Sequence, residues 1–284
     1  MKLMPTRIAL TLVLAGTVSC YTSKQLYDIH EQQQDSLEAI SLMPPAITAA
    51  VSMEYKGIVS DYLLLRTMTY LGKHLLENTM PKVEDWHHVH RLLEQVIFLD
   101  PLFWDPYVLV ETMLIMQGGL IQEGNQLLEK AASAREQDYR PYFLLWYNAY
   151  YIQGNVNKAE QYLHLAVKRP NAPDYLSGLA SRMSLYSGKT ENGIFLLEQL
   201  LKETSNQTYR EYLQKRILTL KMIFYLEKKV EEYRMQFATA PTSLEDLVNK
   251  KLILEIPIDP YGGTFLLTKK GKVYTTSKLI PQQQ

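Results

Sequence analysis

One cysteine, Cys20, is all the thiol that the 284 residues carry. A disulfide framework and a thiolate zinc cluster both need more, so both are excluded. Net charge is missing too. Thirty Lys and Arg balance thirty Asp and Glu, which removes the basic excess by which a general nucleic-acid binder holds phosphates. G-x-S-x-G, H-E-x-x-H, Walker A and G-x-G-x-x-G patterns do not occur, so the usual motif-borne catalytic and nucleotide-binding chemistries find no foothold. Packing material is plentiful. With 46% hydrophobic and 21% charged residues the chain buries a core instead of staying disordered, in one or two domains. Twenty Tyr and eleven Met point to helices rich in large packing side chains.

The first residues read as an address. Lys2 and Arg7 precede a short apolar core, Ile8 to Gly16, and small residues then lead to Cys20. That is the layout of a secretory signal, too short to span a bilayer comfortably. Thr17-Val18-Ser19-Cys20 resembles the lipobox of bacterial lipoproteins, with Thr17 where that pattern has an aliphatic residue. The resemblance implies a signal peptide over 1–19, lipid attachment at Cys20 and anchoring by more than one acyl chain. Tyr21 in place of Asp favours the outer membrane, facing the periplasm. A soluble periplasmic protein and a buried N-terminal helix are the alternatives. Residues 20–50, with Glu31-Gln32-Gln33-Gln34-Asp35 and Met43-Pro44-Pro45, read as a tether with a short helical piece.

A period then appears. Gly119, Gly154 and Gly188 lie 35 and 34 residues apart. Each is followed at +5 by a small residue (Gly124, Ala159, Gly193), at +9 by Leu128, Leu163 or Leu197, and at +12 by Ala131, Ala166 or Leu200. Those offsets share one helix face, with small residues where helices approach closely. The spacing, with Pro101, Pro170 and Pro173 at unit boundaries, resembles tetratricopeptide repeats. Helices Tyr142–Tyr151 and Leu179–Tyr186 fill the first-helix positions of two units. An earlier unit pairs a helix near 53–77 with one near 83–98, turning Val89, Leu93 and Val96 inward. Such units cannot bury their faces alone, so the expected fold is mainly α, a right-handed helical-hairpin solenoid over 51–204.

Residues 205–240 predict one long amphipathic helix that caps the stack, with a coiled-coil partner helix as the alternative. From Pro241 the character changes. Thr242-Ser243-Leu244-Glu245 is a capping box before a short helix. Pro257-Ile258-Asp259-Pro260-Tyr261-Gly262-Gly263 excludes regular helix, and Thr264–Thr268 and Lys272–Thr275 form a β-hairpin. This order over 241–284 resembles the end of type II secretion major pseudopilins, with Tyr261 and Gly263 at variance from that pattern. Calcium is not carried over with the resemblance; Asp259 reads as a turn former that accepts backbone N–H bonds. The whole arrangement is similar to bacterial envelope proteins described only as tetratricopeptide-repeat proteins, which share a Ser60–Arg66-type first helix.

Little in the chain carries chemistry. Trp86-His87-His88-Val89-His90 is the one histidine cluster, and His87 and His90 could share a helix face and one edge of a metal site. The sequence names no further ligands, so neither metal nor cofactor is expected, and a metal-dependent hydrolase is a remote alternative. In tetratricopeptide arrays the first helix of each unit lines the groove. Projection from the turn glycines puts Leu109, Met113 and Met116 there, then Leu144, Asn148 and Tyr151, then Tyr175, Arg182 and Tyr186. Met and Tyr offer adaptable contact area, and Asn148 and Arg182 can bond a peptide. The expectation is a non-enzymatic, membrane-anchored scaffold for proteins or peptides of the cell envelope, serving envelope, pilus or secretion-system assembly. The alternative is a component of a type II secretion or type IV pilus machine that docks through the C-terminal module.

Overall fold

A computed structural model describes residues 16–26, 43–76, 78–269 and 271–279. Residues 1–15 of the expected signal peptide, 27–42 of the expected tether and the last five residues lie outside it. The chain divides into two units, Met1–Glu54 and Tyr55–Gln284. In the first, residues 16–26 are helical (α1) and carry Cys20 as an exposed free thiol. Helix α2, Pro45–Ser52, begins with proline at its first position, where a missing N–H costs nothing. It begins at the Pro44-Pro45 pair, within the stretch where a short helical piece is expected, and runs to Ser52, past the expected boundary at 50.

The second unit is mainly helical with a small two-stranded antiparallel sheet. Its helices are α3 (Lys56–Leu76), α4 (Val83–Leu99), α5 (Asp105–Leu109), α6 (Ile121–Ala134), α7 (Arg140–Tyr147), α8 (Val156–Val167), α9 (Tyr175–Ser187), α10 (Thr190–Glu203), α11 (Gln207–Phe237) and α12 (Glu245–Asn249). Helix α3 packs on α4, and from α6 to α11 each helix packs on its successor. Val89, Leu93 and Val96 are fully buried on α4, as expected.

The glycine spacing has a physical cause. Gly119, Gly154 and Gly188 have φ of 69°, 63° and 76°, the left-handed region that ends a helix and that L side chains avoid. Leu128, Leu163 and Leu197 are completely buried, as are Ala131 and Ala166. At Gly124 a Cβ would collide with the Ile115 side chain, so the small residue at that offset is a close helix contact.

Two first helices of the pattern do not stay α-helical. α5 widens into a π-helix over Val110–Ile115, and α7 does the same over Asn148–Ile152. Their ends close through long-reach bonds, Leu120 N–H to Leu114 O at 3.1 Å and Asn155 N–H to Ala149 O at 2.7 Å.

Helix α11 is one uninterrupted element of 31 residues, and it is more than a cap. Leu213, Ile217, Leu220, Ile223, Leu226 and Val230 share a single core with Leu244, Leu247, Ile253, Tyr261, Phe265, Val273 and Leu279. The expected division at 240/241 therefore does not divide the core. The hairpin pairs β1 (Phe265–Leu267) with β2 (Val273–Thr275) in the register Phe265↔Thr275, Leu266↔Tyr274, Leu267↔Val273. The capping box is shifted by one residue. The Asp246 carboxylate, not that of Glu245, accepts from Thr242 N–H at 2.7 Å and Ser243 N–H at 3.2 Å. Asp259 is buried and accepts from Tyr261 N–H at 2.9 Å, from Ser277 Oγ at 2.6 Å and from Thr275 Oγ1. The expected turn bond is there, and two hydroxyls join it. Gly263 is fixed by this knot, because a Cβ there would meet Asp259 Oδ2 at 2.7 Å. Among the described residues no helix is long and apolar enough to cross a membrane.

Candidate partner-binding surface

Helices α5, α7 and α9 carry all nine residues projected into a groove or lead directly to them. Met116, Tyr151, Tyr175 and Tyr186 are exposed, while Leu109, Met113, Leu144 and Arg182 are partly covered. Asn148 is a correction. It is 0% exposed, and its amide donates to Glu111 Oε2 at 3.0 Å and Asn125 Oδ1 at 2.9 Å. Projection back from Gly154 assumes α-helical spacing, and the π turn at Asn148–Ile152 adds about one residue to that path. The residue that looked like a groove donor is a core polar group.

What the surface offers is tyrosine. The rings of Tyr147 and Tyr151 lie 4.9 Å apart, those of Tyr150 and Tyr151 4.8 Å, and Trp146 stands 5.9 Å from Tyr151. Across on α9, Tyr186 meets Tyr274 of β2 edge-on at 5.8 Å. Burial raises the pKa of the Tyr150 phenol, neighbouring Tyr186 and Tyr151 add to the effect, and Arg182 opposes it. The two tyrosine groups and Arg182 are thus within electrostatic reach of one another. The Arg182 guanidinium donates to Lys278 O at 2.9 Å, while its buried Nε has no partner. Arg182, Leu185, Tyr186, Tyr274, Thr275, Lys278 and Leu279 line a cavity of about 270 Å³ at the end of this face. Tyr147, Tyr150 and Tyr274 were not among the groove candidates. The cluster Tyr147-Asn148-Ala149-Tyr150-Tyr151 was legible; the approach of β2 to α9 was not.

A larger cavity, about 700 Å³, opens at the connection of α6 and α7. Its two guanidinium groups are already engaged: Asp138 accepts from Arg135 at 2.9 Å and from Arg140 at 2.7 Å. Arg140 also lies 4.1 Å above the Trp104 ring. Burial works to raise the Asp138 pKa, but the bonds from Arg140 and Arg135 outweigh it and lower it.

The histidine cluster is dispersed. His87 is exposed, His90 half-buried, and His88 is buried with its ring 4.9 Å from Tyr70. Burial lowers the pKa of both His88 and His90. Among the described residues no group of three or more His, Cys, Asp or Glu side chains is placed to hold a metal ion. Comparison of the chain with protein-family models, curated proteins and solved structures gives no match.

Proposed function

We propose that residues 55–279 are a tetratricopeptide-like stack of helical hairpins that binds protein partners without catalysing a reaction, and that Cys20 carries the lipid tethering it to a bacterial membrane. The observation that carries the binding role is the tyrosine surface of Tyr147, Tyr150, Tyr151, Tyr186 and Tyr274 beside Arg182. Tyrosine brings large contact area at low cost in side-chain entropy, and arginine brings directed donors, the mixture that dominates protein interfaces. The left-handed glycines Gly119, Gly154 and Gly188 support the repeat reading, because they recur at nearly equal spacing along the chain. Envelope, pilus or secretion-system assembly is the setting that the lipobox and the C-terminal resemblance favour.

The test is photocrosslinking in living cells with p-benzoylphenylalanine at Tyr151, at Tyr175 and, as a control, at exposed Phe195 of α10. Discrete adducts at the two tyrosine positions that weaken with Tyr186→Ala are expected. Equal labelling from Phe195, or none at all, overturns the reading. Palmitate label should follow Cys20 and vanish in Cys20→Ser; label that persists removes the anchoring part.

A further inference from the structure

The side of α3 that turns away from α4 is apolar. The other side, which faces α4, buries Leu63, Leu64 and Leu71, and Ser60 Oγ beside them donates to Val96 O of α4 at 3.2 Å. Opposite them, Ile58, Tyr62, Leu65 and Leu76 of α3, and Tyr55 in the short 3-10 turn Met53–Tyr55 that leads into it, are between 63% and 91% exposed. With Thr69 and Gly72 these positions run 55, 58, 62, 65, 69, 72, 76. That unbroken alternation of three and four is the seam spacing of a two-stranded coiled coil. The two weaker positions do not spoil it. The Thr69 hydroxyl is already bonded to Leu65 O at 2.9 Å, which leaves no polar demand at the seam. A Cβ at Gly72 would meet nothing within 4 Å, so the backbone there is open to close approach.

We infer that this stripe is the contact surface of a parallel homodimer, in which α3 packs along the α3 of a second copy. Charge sets the direction. Asp61 stands just before the seam residue Tyr62, and Arg66 just after the seam residue Leu65. In a parallel pair, a residue flanking the seam at such a position faces the residue five further along the other helix. Asp61 of each copy then meets Arg66 of the other, twice over by symmetry. A lipid surface, or the chain's own N-terminal residues, would also cover apolar side chains. Neither calls for a three–four seam with opposite charges on its two edges.

The experiment uses the full chain carrying Cys20→Ser, with its mass followed by sedimentation equilibrium across the low-micromolar range. A dimer is expected, converted to monomer by Leu65→Glu with helical circular dichroism unchanged. Asp61→Arg should weaken the dimer about tenfold, the scale of a close interfacial charge pair, and Asp61→Arg combined with Arg66→Asp should restore it. Tyr62→Cys and Thr69→Cys, introduced singly, should each oxidise to a disulfide-linked dimer. A chain that stays monomeric, whatever covers the stripe, overturns the inference. So does a dimer indifferent to Leu65→Glu, or cross-linking from only one of the two thiols, which marks an antiparallel pair.

Discussion

Arg216 donates through Nη1 to the backbone carbonyl of Leu279 at 3.0 Å. The same guanidinium reaches Gly178 O at 2.7 Å, Ser181 Oγ at 2.6 Å and the Tyr212 hydroxyl at 3.3 Å. Helices α9 and α11 and the turn after β2 thus meet on one side chain. It is buried, and all these acceptors are neutral. Burial pushes its pKa down from the ordinary arginine value, yet charge-assisted bonds keep the guanidinium in place.

Arg216→Ala takes from the Leu279 carbonyl its guanidinium donor and from Gly178 O one of two, the Ser181 hydroxyl remaining at 2.9 Å. A loss of about 1–3 kcal/mol in unfolding free energy is expected, the cost of one buried group left unsatisfied. Arg216→Lys recovers only part, because a single ammonium lacks the planar fork that spans both carbonyls. Urea unfolding followed by circular dichroism measures both.

Glu111 gives the stability a slope with pH. Burial raises its pKa, and the bond from Asn148 offsets only part of that. The folded chain therefore keeps a proton at pH values where the unfolded chain has released it. Stability falls as pH rises from the unfolded value through the folded one, and the loss is complete above it. Glu111→Gln should remove this slope and raise stability at neutral pH. Glu227, raised in the same way by burial, contributes a slope of the same sign, so the variant flattens only part of the decline. Thermal unfolding at a series of values between about pH 5 and 8 shows the difference.

Two glycines of one repeat pattern should respond differently to alanine. Gly154→Ala meets no neighbour within 4 Å but must hold a φ near 63°, which costs about 1 kcal/mol. Gly124→Ala drives a methyl into buried Ile115, and overpacking of this kind costs about 1–3 kcal/mol. Gly154→Asn should be better tolerated than Gly154→Ala, because Asn visits the left-handed region more readily. Melting temperatures of the three variants rank the effects.

Removing residues 241–284 should not leave an intact helical stack. Leu220, Ile223 and Leu226 of α11 lose the apolar partners Leu247, Phe265 and Val273. The truncated chain is expected to bind a hydrophobic dye and to unfold without a sharp transition. A cooperative transition at the full-length midpoint would show that the core does not depend on the module.

The local elements were legible because their causes are local. Turn glycines need a left-handed φ, and small residues at +5 need a close helix contact; both act within one hairpin. The pairing of β1 with β2 and the turn at Asp259 were legible for the same reason. Asn148 was misplaced because nothing in its neighbourhood announces a π turn. The widening serves a polar pairing with Glu111 and Asn125, 37 and 23 positions back. The union of α11 with the C-terminal residues was equally invisible. The composition change at Pro241 marks a shift from helix to turns, and a core ignores such a shift when apolar side chains on both sides of it face each other.

The Lys278 carbonyl accepts its bond from Arg182, 96 positions earlier, and Lys272 Nζ donates to Tyr186 O across 86. Contacts between neighbouring helices span far fewer residues. Loop-closure entropy makes clasps of such span slower to form than those contacts. The clasp at 272–279 is therefore expected to close after the helices have met. Under a pulling force from the C-terminal end it is also the first thing to come undone.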